Sequence, residues 1–98
     1  MLRIKEPIKF VWDKGNIDKN WKIHQVANQE CEEIFFDENK KISKDVLHSK
    51  KEKRHILLGK TKKDRLLFVI FTLRNKKVRI ISARDINRKE VKLYEKTT

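Results

Sequence analysis

Arg79 and Arg84 bracket the run Ile80 to Ala83 late in the chain, and Arg54, Arg65 and Arg74 stand at the edges of predicted strands. A planar guanidinium grips a phosphate through two parallel hydrogen bonds and cannot be titrated away. The plainer use of these arginines is to edge a sheet. His24 has the ordinary imidazole pKa of about 6.5, suited to proton transfer in either direction. Asn20 and His24 are four apart on a predicted helix and share a face, as do Glu90 and Tyr94 on another. For His24 the plainer use is a core position beside Trp21, and for Glu90 a place in a capping box. Gly15 and Gly59 are isolated, so no glycine loop cradles a phosphate. No Gly-x-Ser-x-Gly or Cys/His arrangement points to a nucleophile. His24, His48 and His55 lack metal-ligand spacing, and no carboxylate pair resembles a hard-metal site.

That inventory suits RNA cleavage without a metal or other cofactor. The 2′-hydroxyl attacks the adjacent phosphate, a base takes its proton, an acid protonates the leaving 5′-oxygen, and fixed cations stabilise the added charge. Arg79 and Arg84 are the candidates for the scissile phosphate, with Arg54 and Arg74 in support. His24 is the candidate for proton transfer, and Glu90 and Tyr94 stand behind it. Lys50, Lys51 and Lys53 extend the footprint on RNA. Strict strand alternation puts Arg79 and Arg84 on opposite faces. Both can face one phosphate only if the strand ends or bends near Ser82.

The elements that must position these groups make an α+β domain. Ile8 to Trp12 alternates like a short first strand. Asp13 can cap a helix with Ile17, Trp21 and His24 at helical spacing. A second helix covers Val26 to Ile34, with Ala27, Cys31 and Ile34 inward. Lys40 to Val46 is open between strand and loop, and Asp45 to Arg54 reads as a mobile basic loop. His55 to Gly59, Arg65 to Leu73 and Val78 to Ala83 then form an antiparallel meander of three to four strands. The strand from Arg65 is apolar on both faces, so it belongs in mid-sheet. Asn87 and Glu90 form a capping box, with Ile86 and Val91 as its staple, for a C-terminal helix reaching about Lys96.

Length and charge bound the rest. The 98 residues allow one domain, residues 1–98, with 38% hydrophobic and 41% charged residues and therefore a small core. The net charge is +12, and all of it lies in the second half. Residues 1–49 hold 9 basic and 9 acidic side chains, whereas residues 50–98 hold 17 basic against 5 acidic. Such an excess implies a polyanionic partner, nucleic acid or an acidic protein before a membrane surface. No run is long enough for a membrane span and no signal peptide is evident, so a cytoplasmic location is expected. The single cysteine, Cys31, excludes an internal disulfide and is expected to be a small buried hydrophobe.

Phe10-x-Trp12-Asp13 with Asn20 and His24 resembles the N-terminal signature of the BrnT family, ribonuclease toxins of bacterial type II toxin–antitoxin modules. The second half is similar as well: Glu52-x-Arg54, Gly59 after an apolar strand, and the long strand through Thr72. Ile81-Ser82-Ala83-Arg84 then precedes Glu90 and Tyr94. Asn16 and Ile23 stand where the family usually carries lysine, leaving Lys19 or Lys22 to serve instead. The resemblance implies a RelE-like fold, endoribonuclease activity, and a cognate BrnA-like antitoxin whose complex with the toxin binds operator DNA. Two competing readings are a non-catalytic basic nucleic-acid-binding module and an inactive toxin retained as antitoxin partner or co-repressor.

Overall fold

The apolar run after Arg65 becomes the middle strand of a five-stranded sheet. The computed structural model describes residues 2–47 and 51–96. Its strands are β1 (Phe10–Val11), β2 (Lys41–Lys44), β3 (His55–Lys60), β4 (Leu66–Arg74) and β5 (Lys77–Asp85), ordered β1-β5-β4-β3-β2. The helices are α1 (Lys19–His24), α2 (Asn28–Glu33) and α3 (Arg88–Glu95), with a 3₁₀ turn at Ile34–Phe36 after α2. The expected meander is the antiparallel run β2 to β5, with Lys41–Lys44 settled as a strand. β1 pairs parallel to β5, which makes the sheet mixed.

One face of the sheet carries the core. Leu57, Leu67, Val69, Phe71, Val78, Ile80 and Ala83 alternate onto it and meet Val26, Cys31, Ile34 and Phe35. Phe35 sits edge-on between Phe10 and Phe71, with centroids 5.2 and 5.0 Å away. Gly59 admits this layer: a Cβ there would lie 2.8 Å from the Ile34 Cβ, closer than side chains approach. The second helix is shorter than expected, starting at Asn28, because the Glu30 carboxylate accepts from the Ala27 N–H and fixes the entry there. Cys31 is buried as expected.

The first helix departs most from expectation. Ile17, Trp21 and His24 recur at helical spacing, yet all three are exposed, Trp21 at 53%, so the core position beside Trp21 weighed for His24 does not form, while Asn16 and Asn20 are buried at 2% each. The cause is the edge of β5. β1 covers it only at Val78 and Arg79, so the polar backbone groups beyond need other partners. Asn16 donates to the carbonyls of Ile80 (3.1 Å) and Val11 (3.0 Å), and its own oxygen accepts from the Asp13 N–H. Lys19 donates to the Ile81 carbonyl, and Asn20 accepts from the Ala83 N–H. Polar side chains thus replace a missing strand. Asp13 does not cap α1 itself; it closes the preceding turn, its side chain accepting from the Gly15 N–H.

Of the basic loop, His48 to Lys50 fall outside the described residues. Its described ends carry no strand or helix, but the Asp45 N–H donates to the Arg54 carbonyl and Thr72 donates to the Lys53 carbonyl. α3 forms as expected, with Asn87 and Glu90 exchanging capping-box hydrogen bonds.

Candidate functional site

A β-bulge decides where the two arginines point. Ile70 pairs with Ser82 but Phe71 pairs with Ile80, so Ile81 is an extra residue in β5. One extra residue reverses the alternation beyond it. Arg79 opposite Thr72 and Arg84 opposite Phe68 consequently share the sheet face that turns away from the core. The bend near Ser82 that the sequence required is present. Thr72 and Phe68 are four residues apart, roughly 13 Å along a strand, and the two guanidiniums are held by different carboxylates, Arg79 by Asp13 and Arg84 by Glu90.

Arg79 belongs to a cationic cavity of about 190 Å³ lined by Gly15, Asn16, Lys19, Glu52, Arg54, Arg74, Arg79, Ile80 and Ile81. The volume is below the roughly 300–1,000 Å³ of pockets that enclose whole small molecules, and suits one charged group of a longer chain. Each element contributes for a local reason. β5 carries Arg79, the end of β4 carries Arg74, α1 brings Lys19 over the bulge, and the segment pinned by Thr72 brings Glu52 and Arg54. Two carboxylates hold the guanidiniums in place, Asp13 on Arg79 at 2.7 Å and Glu52 on Arg74 at 2.7 Å. The Arg79 hydrogen bond, then the Gly15 N–H, holds the Asp13 carboxyl below the usual range. The Arg74 hydrogen bond does the same for Glu52. Gly15 has no positive φ, but its missing side chain matters, because a Cβ would lie 2.7 Å from Arg79 Nη2.

The remaining candidates lie elsewhere. Arg84 makes a two-pronged pair with Glu90 at 2.9 and 2.8 Å, and its guanidinium carbon lies 3.9 Å from the Phe68 ring centre. Burial pushes the Glu90 carboxyl up, but hydrogen bonds from Arg84 and the Asn87 N–H outweigh it and leave the pKa lowered. His24 ends α1 near Asp85, its carbonyl accepting from Arg65, which also binds Glu30 and Asp85. It does not line the cavity. Tyr94 is buried and donates to Asp37 at 2.6 Å, and burial followed by that carboxylate drives its phenol pKa upward. Lys51 and Lys53 are exposed beside Glu52 and Arg54, while Lys50 is outside the described residues. Gly15 and Glu52 line the cavity without having been among the expected site residues, Asp13 reaches it only through Arg79, and Lys19 is one of the two lysines the sequence offered as substitutes. Asn16 is a structural clamp, and Lys19 supplies the nearest lysine to the cavity.

No three His, Cys, Asp or Glu side chains converge to hold a metal among the described residues. None of the described helices is long and apolar enough to cross a membrane. The fold and site together define a basic α+β domain with a phosphate-sized cationic cavity at the edge of its sheet. Residues 12–90 match the family model for BrnT, the ribonuclease toxin of a type II toxin–antitoxin system, and the chain belongs to that family. Membership implies an RNA substrate and an antitoxin partner. No curated protein matches the chain.

Proposed function

We propose that this chain is an endoribonuclease that cleaves RNA at the Arg79 cavity by attack of the 2′-hydroxyl on the adjacent phosphodiester, with no metal ion in the step. The observation that carries the reading is the convergence of Lys19, Arg54, Arg74 and Arg79 on one small cavity. An incoming phosphate replaces Asp13 and Glu52 on the guanidiniums they now hold, so those carboxylates act as its internal stand-ins. Displaced from Arg74, Glu52 regains the basicity that the ion pair suppresses and accepts the 2′-hydroxyl proton. Lys19 donates to the leaving 5′-oxygen, and Arg79 with Arg74 stabilises the charge added at phosphorus.

The fold is read as RelE-like, and the protein as cytoplasmic. A BrnA-like antitoxin silences it by covering the basic face, and their complex binds operator DNA. Arg79→Ala should lower kcat/KM for a labelled RNA about a hundredfold in excess chelator, the loss expected on removing one preorganised charge. Glu52→Gln should lower kcat with RNA affinity retained or improved. Parental cleavage by both folded variants would place the reaction elsewhere.

A further inference from the structure

The second arginine of the pair has a different use. Two Arg84 N–H groups are taken by the Glu90 carboxylate and a further contact from Nη1 goes to the Asp85 carbonyl. Its charge is therefore matched and most of its donor edge is engaged, which is a poor arrangement for seizing a phosphate. The plane itself is another matter. It rests on the Phe68 ring at 3.9 Å, and the side chain is still 37% exposed. Glu90 is held in turn, since Oε1 also accepts from the Asn87 N–H and the residue lies in the first turn of α3. The guanidinium is thus a flat, fixed surface backed by an aromatic ring, on the same sheet face as Arg79 and roughly 13 Å from it along the strand.

We propose that Arg84, backed by Phe68 and locked by Glu90, is a stacking platform for a nucleobase of the RNA whose phosphate enters the Arg79 cavity. The proposal rests on the RNA reading above and adds a base subsite to it. A guanidinium plane stacks on the π-face of any base, so the platform orders the strand without reading much sequence. Because the Arg84–Glu90 pair is neutral overall, its contribution is insensitive to salt, unlike a phosphate contact.

The test uses the whole chain and an uncleavable 2′-O-methyl RNA dodecamer, alone and with a single abasic position moved along it. In the parental protein one abasic position should cost about tenfold in affinity, a typical single-base stacking loss. Arg84→Lys, which keeps the charge beside Glu90 and removes the plane, should bind more weakly by about the same factor. That variant should lose sensitivity to the abasic position and keep the parental salt slope. The double substitution Arg84→Met with Glu90→Gln repeats the measurement with both charges removed and the net charge unchanged, and melting temperatures show that each variant is folded. Undiminished abasic sensitivity in folded Arg84→Lys, or a flatter salt slope in the folded double variant, overturns the platform and makes Arg84 a non-stacking group. Failure of the parental protein to bind the oligonucleotide at all overturns the RNA reading itself.

Discussion

Gly15→Ala isolates the Arg79 cavity with a single methyl group. Gly15 has no positive φ, so alanine is accommodated by the backbone and slightly restricts the unfolded chain, a gain of roughly 0.4–1 kcal/mol at compatible sites. The cost falls on the ion pair. An added Cβ would lie 2.7 Å from Arg79 Nη2 and 3.2 Å from Asp13 Oδ1, whereas ordinary contact begins at 3.4 Å. The guanidinium, as the flexible end, must retreat by about 0.7 Å, and displacements on the order of 1 Å can cost about a hundredfold in rate. A fall in kcat/KM of about ten- to a hundredfold is therefore expected, at an unchanged or slightly raised melting temperature. Because the methyl acts only through Arg79, it should add nothing in the Arg79→Ala background. Parental cleavage by Gly15→Ala, or independent effects of the two substitutions, would refute the placement of Arg79 at the reacting phosphate.

Other consequences follow from the same contacts. Asn16→Ala removes two donated hydrogen bonds and one accepted at a buried site, so thermal or urea unfolding should show a loss of about 2–4 kcal/mol. Glu90 has its pKa lowered in the fold, so its pair with Arg84 stabilises above the ordinary value of 4.5 and that contribution is lost as pH falls through the folded value. Melting temperatures of the parental protein and Glu90→Gln should consequently converge in acid, below that value, and separate at neutral pH. Replacing Lys50, Lys51 and Lys53 together should flatten the salt dependence of RNA affinity with little change in melting temperature; an unaltered slope would remove that segment from the footprint.

The middle of the sheet was legible because β3 and β4 are written in apolar runs such as Leu66 to Leu73, whereas Lys41–Lys44 and the parallel pairing of β1 were not, and the C-terminal helix was legible because Asn87 and Glu90 spell its cap. The first helix was not. Its apolar spacing at Ile17 and Trp21 obeys the helical period, but that period says nothing about an unfinished sheet edge. The edge of β5 draws Asn16 and Asn20 inward and holds Lys19 across it, because unpaired backbone groups outweigh apolar burial there. The shared face of Arg79 and Arg84 depended on one extra residue, Ile81, which no local pattern marks. Arginine placement pointed to phosphate contact, a reading in keeping with the ribonuclease toxin family to which the chain belongs. The carboxylates that organise those arginines come from residues 13 and 52, distant in the chain, and only the fold brings them together.

The chemistry of the cut ends tests the central claim most directly. Purified protein, incubated with a defined RNA in excess EDTA, should release a 5′ fragment ending in a 2′,3′-cyclic phosphate, or its hydrolysis product, and a 3′ fragment beginning with a 5′-hydroxyl. Mass spectrometry distinguishes these ends without ambiguity. A 5′-phosphate on the downstream fragment, or cleavage that stops in EDTA and returns with Mg²⁺, would contradict metal-free attack by the 2′-hydroxyl.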